Sequence, residues 1–232
     1  MRELDPGAAR NGRLAGVRLL IFDLDGTLID SKLDLALAVN AVRRWMDLPE
    51  LPHEEIYTLI GHGAPMLIRR ALGEGVSEED IARGLEYFIR YYGEHKLDNT
   101  LPYPGVREGL AALRRRGGPM AVLSNKPVRP SREILEGLGL AGYFGRIYGG
   151  NSFERKKPDP MGVHKLLEEF ACAPEEAMLV GDSDIDVQTA RNSGIWACGV
   201  TYGLGSDGLS AAPPDLLISS LAELPTHLED AS

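Results

Sequence analysis

Asp23-Leu24-Asp25-Gly26-Thr27-Leu28 follows directly on the apolar run Val17 to Phe22. A buried strand therefore runs out into a glycine turn and delivers two carboxylates where it ends. Alternate residues of a strand share a face, so Asp23 and Asp25 point to one space while Leu24 points into the core. At roughly 4 Å and an effective dielectric of about 20, two bare carboxylates repel by about 4 kcal/mol. A chain that builds this pair must also supply positive charge beside it.

The pattern of an apolar run, a polar or glycine turn and a helical stretch recurs at Met120 to Leu123 and at Ala177 to Val180. Weaker strand candidates are Arg146 to Tyr148, Trp196 to Val200 and Leu216 to Ile218. Such alternation predicts an α/β fold, a Rossmann-like parallel sheet core with helices on both faces. Functional loops of open parallel sheets gather at the carboxyl ends of strands. Asp23, Ser124 and Asp182 all fall at such ends.

Between Ser31 and Leu101 the strand pattern stops and helical periodicity replaces it. Leu33, Leu37, Ala41 and Trp45 repeat every four residues, and Ile81, Leu85, Phe88 and Tyr92 follow four-three-four spacing, which predicts one buried stripe on each helix. Ser77 to Asp80 supplies the start of the second helix. Residues 31–101 are accordingly expected to form an inserted helical domain, residues 17–30 with 102–232 the α/β core, and residues 1–16 a loose tail. Leu97 to Gly105 reads as the return linker, half of a two-stranded hinge.

Three further segments carry groups suited to a site. Ser124 and Asn125 end the second apolar strand, where a hydroxyl, an amide and nearby backbone N–H groups suit a phosphate oxygen; capping of the next helix is the alternative. Lys156-Lys157-Pro158-Asp159-Pro160 stiffens a helix entrance and can project a positive charge from it. Gly181-Asp182-Ser183-Asp184-Ile185-Asp186 places Asp182 past a strand and Asp186 one helical turn later, a set of hard oxygens suited to Mg²⁺. Capping by Asp182 or Asp184 is again the alternative.

Taken together, these segments, from about Val17 to Gly203, resemble the haloacid dehalogenase superfamily of phosphotransferases and hydrolases. The resemblance implies that Asp23 is the nucleophile and forms an aspartyl-phosphate, while Asp25 serves as acid and then base. It implies that Ser124 or Asn125 and Lys157 hold the transferring phosphoryl group. Asp23, the backbone carbonyl of Asp25, and Asp182 would bind Mg²⁺, with Asp186 supporting the metal's water shell; Asp184 receives no role. Asp25 favours phosphoryl transfer over dehalogenation, because an alkoxide leaving group gains from a proton and a halide does not.

Gly61-His62-Gly63, with Met66, Leu67 and Arg70-Ala71-Leu72, is similar to the cap of phosphoglycolate phosphatases, as is Thr201-Tyr202-Gly203. That similarity implies 2-phosphoglycolate, or another small phosphorylated metabolite, as substrate, with His62 reading its carboxylate or packing within the cap. A phosphosugar mutase of the β-phosphoglucomutase kind, a phosphatase of another small metabolite or of pyrophosphate, and a non-catalytic protein keeping the fold are the alternatives. Trp45, Tyr91 and Tyr92 are expected to pack the cap, and Arg114 to Arg116 to be a solvated face.

A formal charge of -9 argues against a nucleic-acid partner or an anionic membrane surface. Cys172 and Cys198 lack metal-ligand spacing, which makes a reduced, cytoplasmic setting the expectation and both thiols buried apolar groups. No secretory segment is expected at the amino terminus. Oligomeric state is not legible.

Overall fold

Six short apolar runs pair into one parallel sheet in a computed structural model that describes Leu14 and residues 16–228. The expected tail, residues 1–16, lies almost wholly outside the described residues. The sheet strands are β1 (Leu19–Phe22), β4 (Met120–Leu123), β5 (Arg146–Tyr148), β6 (Ala177–Gly181), β7 (Trp196–Val200) and β8 (Leu216–Ile218), in the order β5-β4-β1-β6-β7-β8. A separate antiparallel pair joins β2 (Ile29–Asp30) to β3 (Leu101–Pro102). All six sheet strands coincide with the runs named from sequence, and the small pair joins the two segments that flank the helical stretch.

Strand periodicity explains the two layers. Leu20 and Phe22 face one core, shared with α5 (Val106–Arg116), α6 (Val128–Gly137) and α9 (Leu224–His227). Leu19 and Ile21 face the other, shared with α7 (Met161–Glu169) and α8 (Asp184–Ser193). Helices thus cover both faces, and β1 is apolar at every position because it is buried on both sides. Leu19, Ile21 and Phe22 have no exposed surface, and each such side chain stabilises the fold by about 1.5–3 kcal/mol. The centre of the sheet is consequently a rigid base for the loop that follows it.

Between β2 and β3 the chain forms α1 (Lys32–Trp45), α2 (His53–Tyr57), α3 (Ala64–Leu72) and α4 (Glu78–His95). The Ser77 hydroxyl accepts from the Asp80 N–H and opens α4, as its sequence suggested. On α4 the stripe Ile81, Phe88 and Tyr92 is buried, with Leu85 half-buried. The stripe on α1 is offset from the expected one. Leu35, Val39 and Val42 are buried, whereas Leu33 and Leu37 are half-buried and Trp45 is 42% exposed, its ring stacked on Tyr87. Ala36, Ala38 and Ala41 widen the apolar arc, so an exact four-residue repeat picked out its edge.

A buried carboxylate ties the two ends of the helical insert together. Asp34, 2% exposed, accepts from the N–H and side-chain amide of Asn99 and from the N–H and hydroxyl of Thr100, all at 2.7–3.0 Å. Its charge is spread over four donors, which satisfies it without a cation. No helix among the described residues is long and apolar enough to cross a membrane. Asp34→Ala strands the Thr100 donors in a buried site and is expected to lower the unfolding free energy by about 2–3 kcal/mol. Urea denaturation measures this; an unchanged midpoint would show that the pin is dispensable.

Candidate active site

The carboxyl ends of β1, β4 and β6 lie side by side, and the loop after each contributes charged groups. After β1 the chain turns tightly: Thr27, Leu28 and Ile29 all donate their N–H groups to the Leu24 carbonyl, while Leu24 is fully buried. Asp23 and Asp25 emerge on either side of it and line the same two cavities. Gly26 is at φ +83°, and a Cβ there would sit 2.2 Å from Asp182 Oδ2. Only glycine meets both demands. Gly203 presses from the other side, where a Cβ would lie 2.1 Å from the Asp182 Cβ.

Asp182 is gripped as well as squeezed. Thr27 Oγ1 donates to its Oδ1 at 3.1 Å and the Gly205 N–H to its Oδ2 at 2.9 Å. Asp186 accepts from the Ser183 N–H and hydroxyl on Oδ2 and from Lys157 Nζ on Oδ1, the last at 2.6 Å. The capping alternative is therefore resolved at Ser183, which begins α8 with Asp186 as its partner; Asp182 and Asp184 do not cap it. Lys157, buried, also lies 2.9 Å from Asp23 Oδ1, but without an aligned hydrogen bond to that oxygen.

Asp23, Asp182 and Asp186 each offer a carboxylate oxygen within 4.8 Å of the others. The electrostatics follow from this crowding. Burial, with Asp186 adding to it against the pull of Lys157, raises Asp23 from an aspartate's usual 3.8 to about 6. Burial and then the charges of Asp186 and Asp23 raise Asp182 to about 7. For Lys157, burial opposes the charge, but Asp186 and Asp23 outweigh it and hold its proton more tightly than usual. One ammonium cannot answer three carboxylates. An oxygen of Asp23 without a hydrogen bond, raised proton affinities and a cavity of about 30 Å³ against Asp23 and Asp182 fit a small hard cation.

Asp25 has its own cation. Lys126 Nζ lies 2.9 and 3.1 Å from its two oxygens and 2.8 Å from the Tyr92 hydroxyl of α4, while the Ser31 hydroxyl donates to Asp25 Oδ1. Lys126 is 6% exposed. Its side chain passes over the Tyr92 ring, and burial pushes the Tyr92 hydroxyl up to about 12, so it keeps its proton. Sequence reasoning passed over Lys126 and assigned Tyr92 to packing alone. The available signal was position: Lys126 is the next residue in the same strand-end loop as Ser124 and Asn125.

Asp23, Asp25, Ser124 and Asn125 line a common cleft of about 640 Å³ between the sheet edge and the helical insert; Asp23 and Asp25 also line the small cavity that Lys157 and Asp182 border, with Asp186 in the same acidic cluster. Neither Ser124 nor Asn125 caps α6. Ser124 Oγ accepts from the Lys126 N–H, and the Asn125 amide donates to the carbonyls of Gly61 and Lys157. With its N–H groups spent, the Asn125 side chain latches the insert's loop to the core, and its buried Oδ1 has no partner.

The structure does not bring the His62 ring to this cleft. His62 is exposed and neither packs the insert nor lines the cavity, although Gly61 and Gly63 do. Burial, then Arg70 and Lys156, hold its pKa below the usual histidine value, and its carbonyl accepts from Lys156 Nζ. Other expectations also shift. Cys172 is half-buried, and of the arginine run Arg114 and Arg115 are exposed as expected, Arg114 standing over the Tyr143 ring, whereas Arg116 is half-buried and donates to the Val17 carbonyl. Tyr202 donates its hydroxyl to the Thr27 carbonyl behind the acidic pair.

A parallel sheet, an aspartate pair after its first strand and an acidic cluster with a buried lysine recur in one class of hydrolases. The chain belongs to the haloacid dehalogenase-like hydrolase family, whose pattern matches residues 20–200. It is 38% identical over 217 residues to a phosphoglycolate phosphatase of Vibrio parahaemolyticus, covering 90% of this chain and 94% of that protein. It is 39% identical to one from Chromobacterium violaceum, over 91% of this chain and 96% of that protein. A crystal structure of a predicted phosphoglycolate phosphatase from Haemophilus somnus superposes with a TM-score of 0.86 at 32% identity, over 91% of this chain and 97% of that one.

Raised proton affinities at Asp23 and Asp182 fix the sign of a pH effect. Between the unfolded value of 3.8 and about 6 to 7 the folded chain binds more protons than the unfolded one, so stability falls as pH rises through that window. In EDTA, Tm is expected to drop between about pH 5 and 8, with a shallower slope in Asp182→Asn. Added divalent cation should raise Tm at pH 8 for the wild type and far less for Asp182→Asn. Equal slopes and equal cation responses would contradict the cluster's electrostatics.

Proposed function

We propose that this chain is a Mg²⁺-dependent phosphatase that hydrolyses a small phosphomonoester, 2-phosphoglycolate foremost, to the alcohol and phosphate. The observation that carries the reading is Asp23: an aspartate fixed by a rigid strand, open to a cleft, beside a buried lysine and within an acidic cluster. The relatives named as phosphoglycolate phosphatases, matched over nine-tenths of the chain, support the substrate. A cytoplasmic setting accords with a small phosphorylated metabolite as partner.

In this reading Asp23 attacks phosphorus and the ester oxygen leaves with a proton from Asp25. Asp25 then takes a proton from water, which attacks the aspartyl-phosphate and frees both Asp23 and phosphate. Lys157 draws charge from the phosphoryl oxygens and orients Asp23. Ser124 contributes its hydroxyl, and backbone N–H groups after β4 take the part first given to the Asn125 side chain. Asp23, the carbonyl of Asp25 and Asp182 would hold Mg²⁺, with Asp186 behind them. A bound Mg²⁺ supplies Lewis-acid neutralisation of the phosphoryl oxygens.

Purified protein should release phosphate from 2-phosphoglycolate with Mg²⁺ and stop in EDTA. Asp23→Asn is expected to lower turnover by about 10⁴-fold or more, because no later step proceeds without the covalent one. Full turnover by Asp23→Asn would exclude the covalent route. Glucose 6-phosphate formed from β-glucose 1-phosphate and its bisphosphate, without free phosphate, would point to a mutase instead.

A further inference from the structure

A phosphomonoester of a 2-hydroxy acid has a carboxylate separated from its leaving oxygen by a single carbon. Whichever group protonates that oxygen must approach the carboxylate closely. If Asp25 does so, as the proposed function requires, two negative groups meet at the leaving-group side of the cleft. Electrostatics then calls for a cation beside Asp25 and distinct from Lys157, which is committed to Asp23 and Asp186.

Lys126 occupies that place. Its ammonium touches both oxygens of Asp25 and lines the cleft. The other cations along the same wall do not compete for the role: Arg90 and Arg129 are exposed at the rim, and Arg129 is paired with Glu133 at 2.9 Å. The Tyr92 hydroxyl accepts from Lys126 at 2.8 Å, and its own proton is donated to no other described residue. A buried ammonium and a buried O–H donor thus stand together over the cleft, one from the loop after β4 and one from the insert. Apolar Leu35, Leu67 and Phe88 line the same cleft and lower the local dielectric, which strengthens any ion pair formed there.

We infer that Lys126 and Tyr92 together form the subsite that reads the substrate's carboxylate, selecting phosphomonoesters that carry an acid group next to the ester carbon. The assignment rests on the phosphatase reading above and replaces His62 in the part first given to it. The carboxylate would share the Lys126 ammonium with Asp25 and accept the Tyr92 O–H, while the Ser31 hydroxyl continues to hold Asp25. An ester without the acid group leaves the Tyr92 donor unmatched and gains nothing from Lys126 beyond its grip on Asp25.

The test compares kcat/KM for 2-phosphoglycolate with that for ethyl phosphate, a primary alkyl ester of similar size with a methyl group in place of the carboxylate. Lys126→Met should lower the ratio about 10- to 100-fold, the range of a hydrogen bond to a charged group, whatever it does to both rates through Asp25. Tyr92→Phe keeps the ring and its packing and should lower the ratio about fivefold. Competitive inhibition by glycolate should weaken in parallel. A wild type with no preference for 2-phosphoglycolate overturns the substrate reading itself. A wild-type preference that survives within about twofold in both variants overturns only the Lys126 and Tyr92 assignment.

Discussion

Negative charge concentrated at the carboxyl edge of one parallel sheet governs this molecule. Asp23, Asp182 and Asp186 come within a few ångströms of one another, and their mutual repulsion must be met by burying Lys157 among them. The penalty of desolvating that lysine is offset only because two of the carboxylates are already in place. Neither half is tenable alone. The strands beneath are apolar on both faces, so the charge that cannot be dispersed through the sheet gathers in the loops above it.

A second charge pair, Asp25 with Lys126, sits beside the first and has a different neighbour. Whereas Lys157 is enclosed by the core, Lys126 touches Tyr92 on α4 of the helical insert. The Asn125 amide adds a second bridge, to the Gly61 carbonyl. Two adjacent loops thus carry separate carboxylate–lysine pairs, which under the proposed function would divide the chemistry at phosphorus from recognition of the rest of the substrate. The insert meets these groups through the Gly61 carbonyl, the Tyr92 phenol and an apolar wall, with Arg90 and Glu94 farther along the cleft.

The strands and the acidic groups were legible because both depend on local pattern. Apolar runs followed by polar or glycine turns placed all six sheet strands, while strand ends and helix starts singled out Asp23, Asp25, Lys157, Asp182 and Asp186 and the family resemblance joined them into one site. What could not be read depends on directions of side chains that only packing fixes. Spacing cannot say that the Asn125 amide turns to two carbonyls, that the His62 ring faces outward, or that Tyr92 lends its hydroxyl to a lysine while its ring packs. On α1 the alanines blurred the apolar arc, so the four-residue repeat through Leu33 and Trp45 marked its border instead of its centre.

Asp182 is clasped between Gly26, near the beginning of the described chain, and Gly203, near its end, with the Gly205 N–H closing on its carboxylate. During synthesis, Asp23 and Asp25 leave the ribosome long before Gly203, and the clasp cannot form until that glycine has followed. The acidic cluster therefore stays open in a nascent chain until Gly203 emerges, and a truncated product ending before Gly203 carries the aspartate pair without the backbone that holds its partner.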